Sequence, residues 1–270
     1  MHDIHQIGYL PGYYGDPKYK FTKKLPQKVS VSFDCIQTDP SADFKVLVQC
    51  EPPKLYIAFE GMVKQNYQNF DLILAYDERL LTLPNAHEFI PVGSWIDDIA
   101  IDKTNQISYI MSSKIWTHEH RMRFQILRQV ENSDKLGKFD FLMHRSPPRI
   151  QSKNPFFVNA KFHITCENQV MNNMFSEKLL DCFKTFTIPI YYGCKNISDY
   201  FDTRGMLEFN TIEQFCHIIE NLDHGTYDKM MPYVLKNHDL AKSYWENNIY
   251  QRLETEIEKH LTIAIEQEKR

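Results

Sequence analysis

The chain has 270 residues, long enough for one large or two small domains with cores of their own, and its 43% hydrophobic and 24% charged residues are the balance of a folded protein rather than a disordered one. A net charge of −4 leaves no overall basic footprint for nucleic acid, so any anion site must be local. No apolar run approaches the ~20 residues of a membrane span, and the N-terminal MHDIHQIGYLPGYYGDPKYK has no signal-like apolar core, so a cytoplasmic location is expected.

Residues 1–27 show no clean periodicity and read as an irregular lead-in. Lys28–Ile36 and Lys45–Cys50 alternate as strands, and Glu51 stands at the end of the second because Pro52 and Pro53 cannot continue a ladder. Residues 54–67 read as a helix between parallel strands, 70–76 as a short buried strand and 88–92 as another. The acidic, turn-rich 97–106 looks like an interdomain linker. Beyond it, Ile107–Ser113 restarts the strand pattern, a helix is expected over 118–130 with Phe124, Leu127 and Val130 inward, and Phe139–Met143 is the next strand. The two-proline segment 146–154 reads as a loop.

Residues 161–201 carry the most information. Phe162–Cys166 reads as a strand ending at Glu167 and Asn168. Ser176 is a helix N-cap ahead of Leu179, Leu180, Phe183 and Phe186, and Ile188–Tyr192 is a second buried strand that stops at Gly193. In open parallel sheets ligands bind where strands end, and a helix N-terminus favours negative charge. A phosphate-bearing ligand is therefore expected here. A short strand at 206–209, a helix over 211–222 with a Thr211/Gln214 capping box, and a largely helical stretch from 239 onward complete the chain. Leu253, Ile257, Leu261 and Ile265 recur every four residues, a stripe expected to pack on the protein's own body.

The six cysteines (35, 50, 166, 182, 194 and 216) form no C-x-x-C pair and read as free thiols of a reducing compartment. The sequon at Asn196 has no consequence without secretion. Neither Asp-x-Asp, H-E-x-x-H nor a zinc-like cysteine spacing occurs, so no metal ligands are assigned, and no G-x-G-x-x-G follows a strand.

Cys166-Glu167-Asn168, Ser176-Glu177-Lys178 and Pro189-Ile190-Tyr191-Tyr192-Gly193, with nine residues from Asn168 to Glu177, resemble the donor motif of the alpha-1,3/4-fucosyltransferases, glycosyltransferase family 10. In that family the three blocks read Phe-Glu-Asn, Thr-Glu-Lys and Pro-Ile-Tyr-Trp-Gly. The resemblance implies a GT-B type α/β fold: two Rossmann-like domains facing a central cleft, with a helical C-terminal tail that crosses back to the first domain. The expected boundaries are 1–104 for an abbreviated acceptor-side domain, 105–238 for the donor-binding domain and 239–270 for the tail. It implies inverting, metal-independent transfer of L-fucose from GDP-fucose to a hydroxyl of an oligosaccharide or glycoconjugate acceptor, with no cofactor. A different nucleotide-sugar donor, and a non-catalytic sugar-nucleotide-binding protein on the same fold, are the alternatives.

By the same resemblance Glu51 is the catalytic base, with Glu60 as alternate. Arg123, in a segment similar to the family's Thr-x-x-His-x-x-Arg helix start, contacts the diphosphate together with Lys178, and Arg121 is the alternate if the register slips by two. Glu177 binds the ribose hydroxyls, Asn168 positions the donor, and Ser176 opens the helix. Met174 departs from the pattern, standing where many members have a tyrosine. Tyr13, Tyr14 and Tyr19 are candidates for an acceptor-sugar platform.

Overall fold

A computed structural model describes every residue except 9–19, 97–102, 105, 135–138, 147–149, 224 and 269–270. Most of the segment expected as a linker, and the three tyrosines of the suggested sugar platform, lie outside the described residues. The chain divides into two compact units, Met1–Pro91 with Glu246–Arg270, and Val92–Trp245.

In the first unit β1 (His2–Asp3) pairs antiparallel with β3 (Lys24–Leu25), while β2 (His5–Ile7), β4 (Val29–Phe33), β5 (Phe44–Val48), β6 (Leu72–Ala75) and β7 (Ala86–Glu88) form a parallel sheet in that order. Parallel strands buried on both faces need continuous apolar residues, and β4–β6 are buried almost throughout. Helix α1 (Phe59–Asn66) packs Phe59 and Val63 against Leu47 and Ile73 on one face. The C-terminal helix, Ile249–Glu268, places Leu253, Ile257 and Leu261 against Val29, Val31, Val46 and Leu72 on the other. Thus the four-residue stripe becomes the second covering layer of a sheet whose strands lie more than 150 residues earlier. Glu254, near the start of that helix, accepts the backbone N–H groups of Thr22 and Lys23 and so pins the lead-in. Two expectations shift: β1, β2 and β3 lie within the segment read as irregular, and the strand expected at 88–92 ends at Glu88.

The second unit contains β8 (Gln106–Ser112), α2 (His118–Glu131), β9 (Asp140–Ser146), α3 (Asn154–Phe157), β10 (Ala160–Cys166), α4 (Glu177–Lys184), β11 (Ile188–Tyr192), β12 (Leu207–Glu208), α5 (Ile212–Asn221) and α6 (Thr226–Ala241). All its strand pairs are parallel, in the order β12-β11-β10-β8-β9. The chain therefore leaves β8 in one direction, for β9, and returns past it to β10 on the other side. Right-handed crossovers in opposite directions put their helices on opposite faces. Met122, Ile126 and Val130 of α2 pack with Phe215 and Ile219 of α5 on one face, whereas Cys182 of α4 packs with Phe156 and Phe157 of α3 on the other.

Helix α6 begins well before residue 239, the start of the expected helical stretch, because Pro232 in its interior hides it in the sequence. The chain then breaks at 242–248 before the C-terminal helix. At α5 only half the expected box forms: Thr211 accepts from Gln214 N, but the Gln214 side chain accepts from Asn210 N.

Candidate functional site

The strand order of the second unit reverses between β8 and β10. That is the point at which a doubly wound sheet leaves a crevice outside its strand ends. Thr117 N-caps α2 just past the end of β8: its hydroxyl accepts from His120 N, and the His120 ring accepts from Thr117 N, giving a complete capping box. The same hydroxyl donates to the carbonyl oxygen of Asn168, just past the end of β10, at 3.2 Å. Arg123 lies on the inner face of α2, 4% exposed, and its Nη2 donates to Asn168 Oδ1 at 2.7 Å and Cys166 O at 2.9 Å. Arg121 points away from this cluster, on the exposed face of α2. The two candidate arginines thus separate by helix face, which a two-residue spacing dictates.

On the other side of the reversal, Glu167 turns inward from the end of β10, accepting from Ser176 N at 2.9 Å and Ser176 Oγ at 2.6 Å. It is completely buried. Burial pushes its carboxyl up from the ordinary value, against the pull of Lys178 and the Ser176 hydroxyl. The close approach requires a glycine at the end of β11: a Cβ on Gly193 would lie 2.5 Å from both Glu167 Cγ and the Tyr191 hydroxyl. Glu167 thereby fixes the turn into α4, whose first residues carry the candidate ligands.

Lys178 Nζ lies 3.0 Å from Ser176 Oγ, 3.3 Å from Glu177 Oε1 and 3.7 Å from Glu167 Oε2. Lys153 Nζ lies 3.7 Å from Glu177 Oε1 and 2.8 Å from Asp181 Oδ2, and sits over the Trp95 ring at 4.4 Å. Burial alone would raise the Glu177 carboxyl, but Lys178 and Lys153 hold it down to about 2. His120 is driven to about 4, by burial first and then by the positive charges of Arg123, Lys114 and Lys178. His120 is thus neutral near pH 7, and the positive charge of this edge comes from Arg123, Lys178 and Lys153. The α4 amides add partial positive charge, because a helix N-terminus presents unpaired N–H groups.

In the first unit Glu51 follows β5 where the ladder ends. Its backbone N–H donates to Asp34 Oδ2 at 3.0 Å, and Cys50 N donates to Asp34 Oδ1 at 2.7 Å. Asp34, just after β4, has φ of 48°, the left-handed region that a short polar side chain tolerates better than a bulky one. From the other neighbouring strand end the Tyr76 hydroxyl donates to Cys50 O at 3.1 Å, and Gln49 Oε1 accepts from Tyr76 N and Asp77 N. The backbone leading into Glu51 is therefore held from both sides. Burial raises the Asp34 carboxyl to about 7, against the two backbone donors and with a further upward push from Glu51. Glu60, at the start of α1, is already held by Lys64 at 2.8 Å and by Arg79.

Sequence reading did not single out Asp34, Lys153 or Asp181. Lys153 lies in a segment read only as a loop, and Asp181 lies one turn into an apolar helix, where it accepts from Ser94 Oγ, Trp95 N and Lys153 Nζ, each at 2.8 Å. A buried aspartate inside an amphipathic helix was the available signal, since a buried charge needs partners. Met174 is buried and brings no hydroxyl to the site. Among the described residues no group of three His, Cys, Asp or Glu side chains is arranged to hold a metal ion, and no helix is long and apolar enough to cross a membrane.

No family model matches the chain. Over 71 residues, 26% of this chain, it is 27% identical to an alpha-(1,3)-fucosyltransferase FucT of Helicobacter pylori, and the match spans only 15% of that enzyme's length. Among solved structures it is similar to an alpha1,3-fucosyltransferase with GDP-fucose, with a TM-score of 0.51 at 15% identity over 77% of this chain and 69% of that one. A further alpha1,3-fucosyltransferase structure has a TM-score of 0.51 at 13% identity over 85% and 80% of the two chains. TarM has a TM-score of 0.53 at 9% identity over 86% of this chain and 54% of its own. At such identities the structural likeness is one of fold. The chain resembles the fucosyltransferases, and its α/β class with parallel sheets and a helical C-terminal region is the one expected from its motifs.

Proposed function

We propose that the chain is an inverting glycosyltransferase of GT-B type that transfers L-fucose from GDP-fucose to a hydroxyl of a glycan acceptor. The observation that carries this reading is the cluster of cations and carboxylates at the strand-order reversal of the second unit. There Arg123, Asn168 and the Ser176-Glu177-Lys178 helix start converge, in the order and spacing of the fucosyltransferase donor motif. In the proposed reaction Arg123, Lys178 and the first amides of α4 hold the diphosphate, Glu177 accepts from the ribose hydroxyls, and Asn168, fixed by Arg123, positions the donor. Glu51 takes the proton of the acceptor hydroxyl as that oxygen bonds to the sugar's anomeric carbon from one side. On the other side the bond to the phosphate oxygen breaks. GDP departs with both electrons of that bond, and its new charge is met by preorganised cations and amides, the arrangement that lowers such barriers most. In this proposal the cationic side chains take that charge and no metal takes part.

Thermal unfolding against a panel of nucleotide sugars tests the donor assignment. A ligand bound only by the native state raises Tm in proportion to RT ln(1 + [L]/Kd), so at a hundredfold excess over Kd it contributes about 2.7 kcal/mol. GDP-fucose and GDP are expected to raise Tm, with UDP- and CMP-sugars much weaker, and added chelator is expected to leave the shift unchanged. A larger shift with another nucleotide sugar would reassign the donor, the second reading that buried Met174 favours. Stabilisation by GDP-fucose without release of GDP in the presence of any acceptor would make the chain a binding protein.

A further inference from the structure

The outer face of α2 has no part in the proposed reaction. Arg121, Phe124, Gln125 and Arg128 recur at helical spacing along it, and with Ile115, from the turn after β8, they line an open groove of about 310 Å³. Beside it Ile115 is 61% and Trp116 68% exposed, two adjacent large apolar side chains turned to solvent. Cations frame them. Lys114 Nζ lies 4.8 Å from the Trp116 ring centre, and the Arg145 guanidinium lies 5.1 Å from that of Phe124. Lys114, Arg121, Arg128 and Arg145 are all exposed, and among the described residues none of the four forms a salt bridge. A chain of net charge −4 thus carries a local surface of four unneutralised cations around a protruding Ile-Trp pair.

We infer that this surface docks the protein on a bilayer bearing anionic phospholipids. Each element has a place at such an interface. Tryptophan partitions to the headgroup level, an aliphatic side chain reaches the acyl boundary, and Lys and Arg pair with anionic headgroups while their stems lie along apolar neighbours. A soluble polyanion would account for the cations but not for Ile115 at its exposure. An apolar protein partner would account for Ile115 but would have to bury four charges without counterions, which is costly. A bilayer surface, anionic above and apolar below, meets both.

Sedimentation of the full chain with vesicles of phosphatidylcholine alone, and of phosphatidylcholine mixed with phosphatidylserine, tests the inference without any nucleotide sugar, so its failure says nothing about the proposed transfer. The wild type is expected to pellet with the mixed vesicles only and to be released by high salt. Arg121→Gln with Arg128→Gln is expected to lower the vesicle partition coefficient about 25-fold, from roughly fivefold per neutralised side chain. Trp116→Ser is expected to lower it while leaving the salt dependence in place. Unchanged Tm in these variants separates lost docking from lost folding. Independently of any variant, phospholipids brominated on their chains are expected to quench part of the wild-type tryptophan fluorescence. Absence of pelleting with anionic vesicles, pelleting indifferent to both substitutions, or binding to heparin with none to vesicles would each overturn the inference.

Discussion

At the C-terminal edge of the first sheet lie three carboxylates, Asp34, Glu51 and Asp77, of which Asp77 is paired with Arg79, whereas the corresponding edge of the second sheet sets three cations, Arg123, Lys178 and Lys153, among Glu167, Glu177 and Asp181. Both sheets are five-stranded and parallel, so the contrast comes from the residues that end each strand and not from architecture. Burial acts alike on both edges, and the neighbours decide the result. Asp34 has only backbone donors and is raised to about 7, while Glu177, with ammonium groups at 3.3 and 3.7 Å, is held near 2. The proposed base, Glu51, stands on the first of these edges, and an edge that carries several fixed cations suits a departing diphosphate.

The largest expected effect tests that division directly. Glu51→Gln should lower the rate of sugar transfer by roughly 10²- to 10⁴-fold, the usual worth of a general base, and leave GDP affinity unchanged in calorimetry. Lys178→Ala should do the reverse at the binding step. Loss of one charge-assisted contact is worth about 1.5–3 kcal/mol, a roughly ten- to hundredfold weaker GDP Kd. Loss of GDP affinity in Glu51→Gln would show that the two edges do not divide the chemistry.

A second test asks whether the units are energetically separate. Leu253 is fully buried in the first unit's core, so Leu253→Ala should cost about 2–5 kcal/mol. All three tryptophans, Trp95, Trp116 and Trp245, belong to the second unit. In urea the variant should therefore show an early loss of far-UV circular dichroism that tryptophan fluorescence does not share. Coincident transitions would mean that the units unfold together.

The smallest effect is a difference in pH slope. The folded-state pKa of Asp34 lies above its unfolded value of 3.8, so its contribution to stability is full below about 3.8 and is lost as pH rises through about 7. Glu177 has the opposite sign. Its contribution is present above its unfolded value of 4.5 and is lost as pH falls toward about 2. Urea midpoints should show Asp34→Asn gaining on the wild type between pH 4 and pH 7, and Glu177→Gln gaining as pH falls below about 4.5. Parallel pH profiles for either variant and the wild type would remove the electrostatic contrast between the edges.

Local pattern was enough for the strands β4, β5, β8, β10 and β11 and the helices α2, α4 and α5, because each is apolar at the period of its own geometry and punctuated by Pro, Gly or a capping Ser or Thr. The spacing from Asn168 to Glu177 likewise made the strand-to-helix turn legible. Helix α6 was less so, since Pro232 breaks the local rule and only packing in the second unit compensates for it.

What the sequence determined by itself is this set of elements, their parallel α/β class and the residue types that end the strands. Tertiary structure alone decided which of two arginines on one helix turns inward to Asn168, that Lys153 crosses from a loop to Glu177 and Asp181, and that Asp34 holds the backbone of Glu51. The reason is range. Periodicity and capping act over one or two turns of chain, whereas a charge is placed, and its pKa set, by groups that the fold brings together from 17 to 45 residues away.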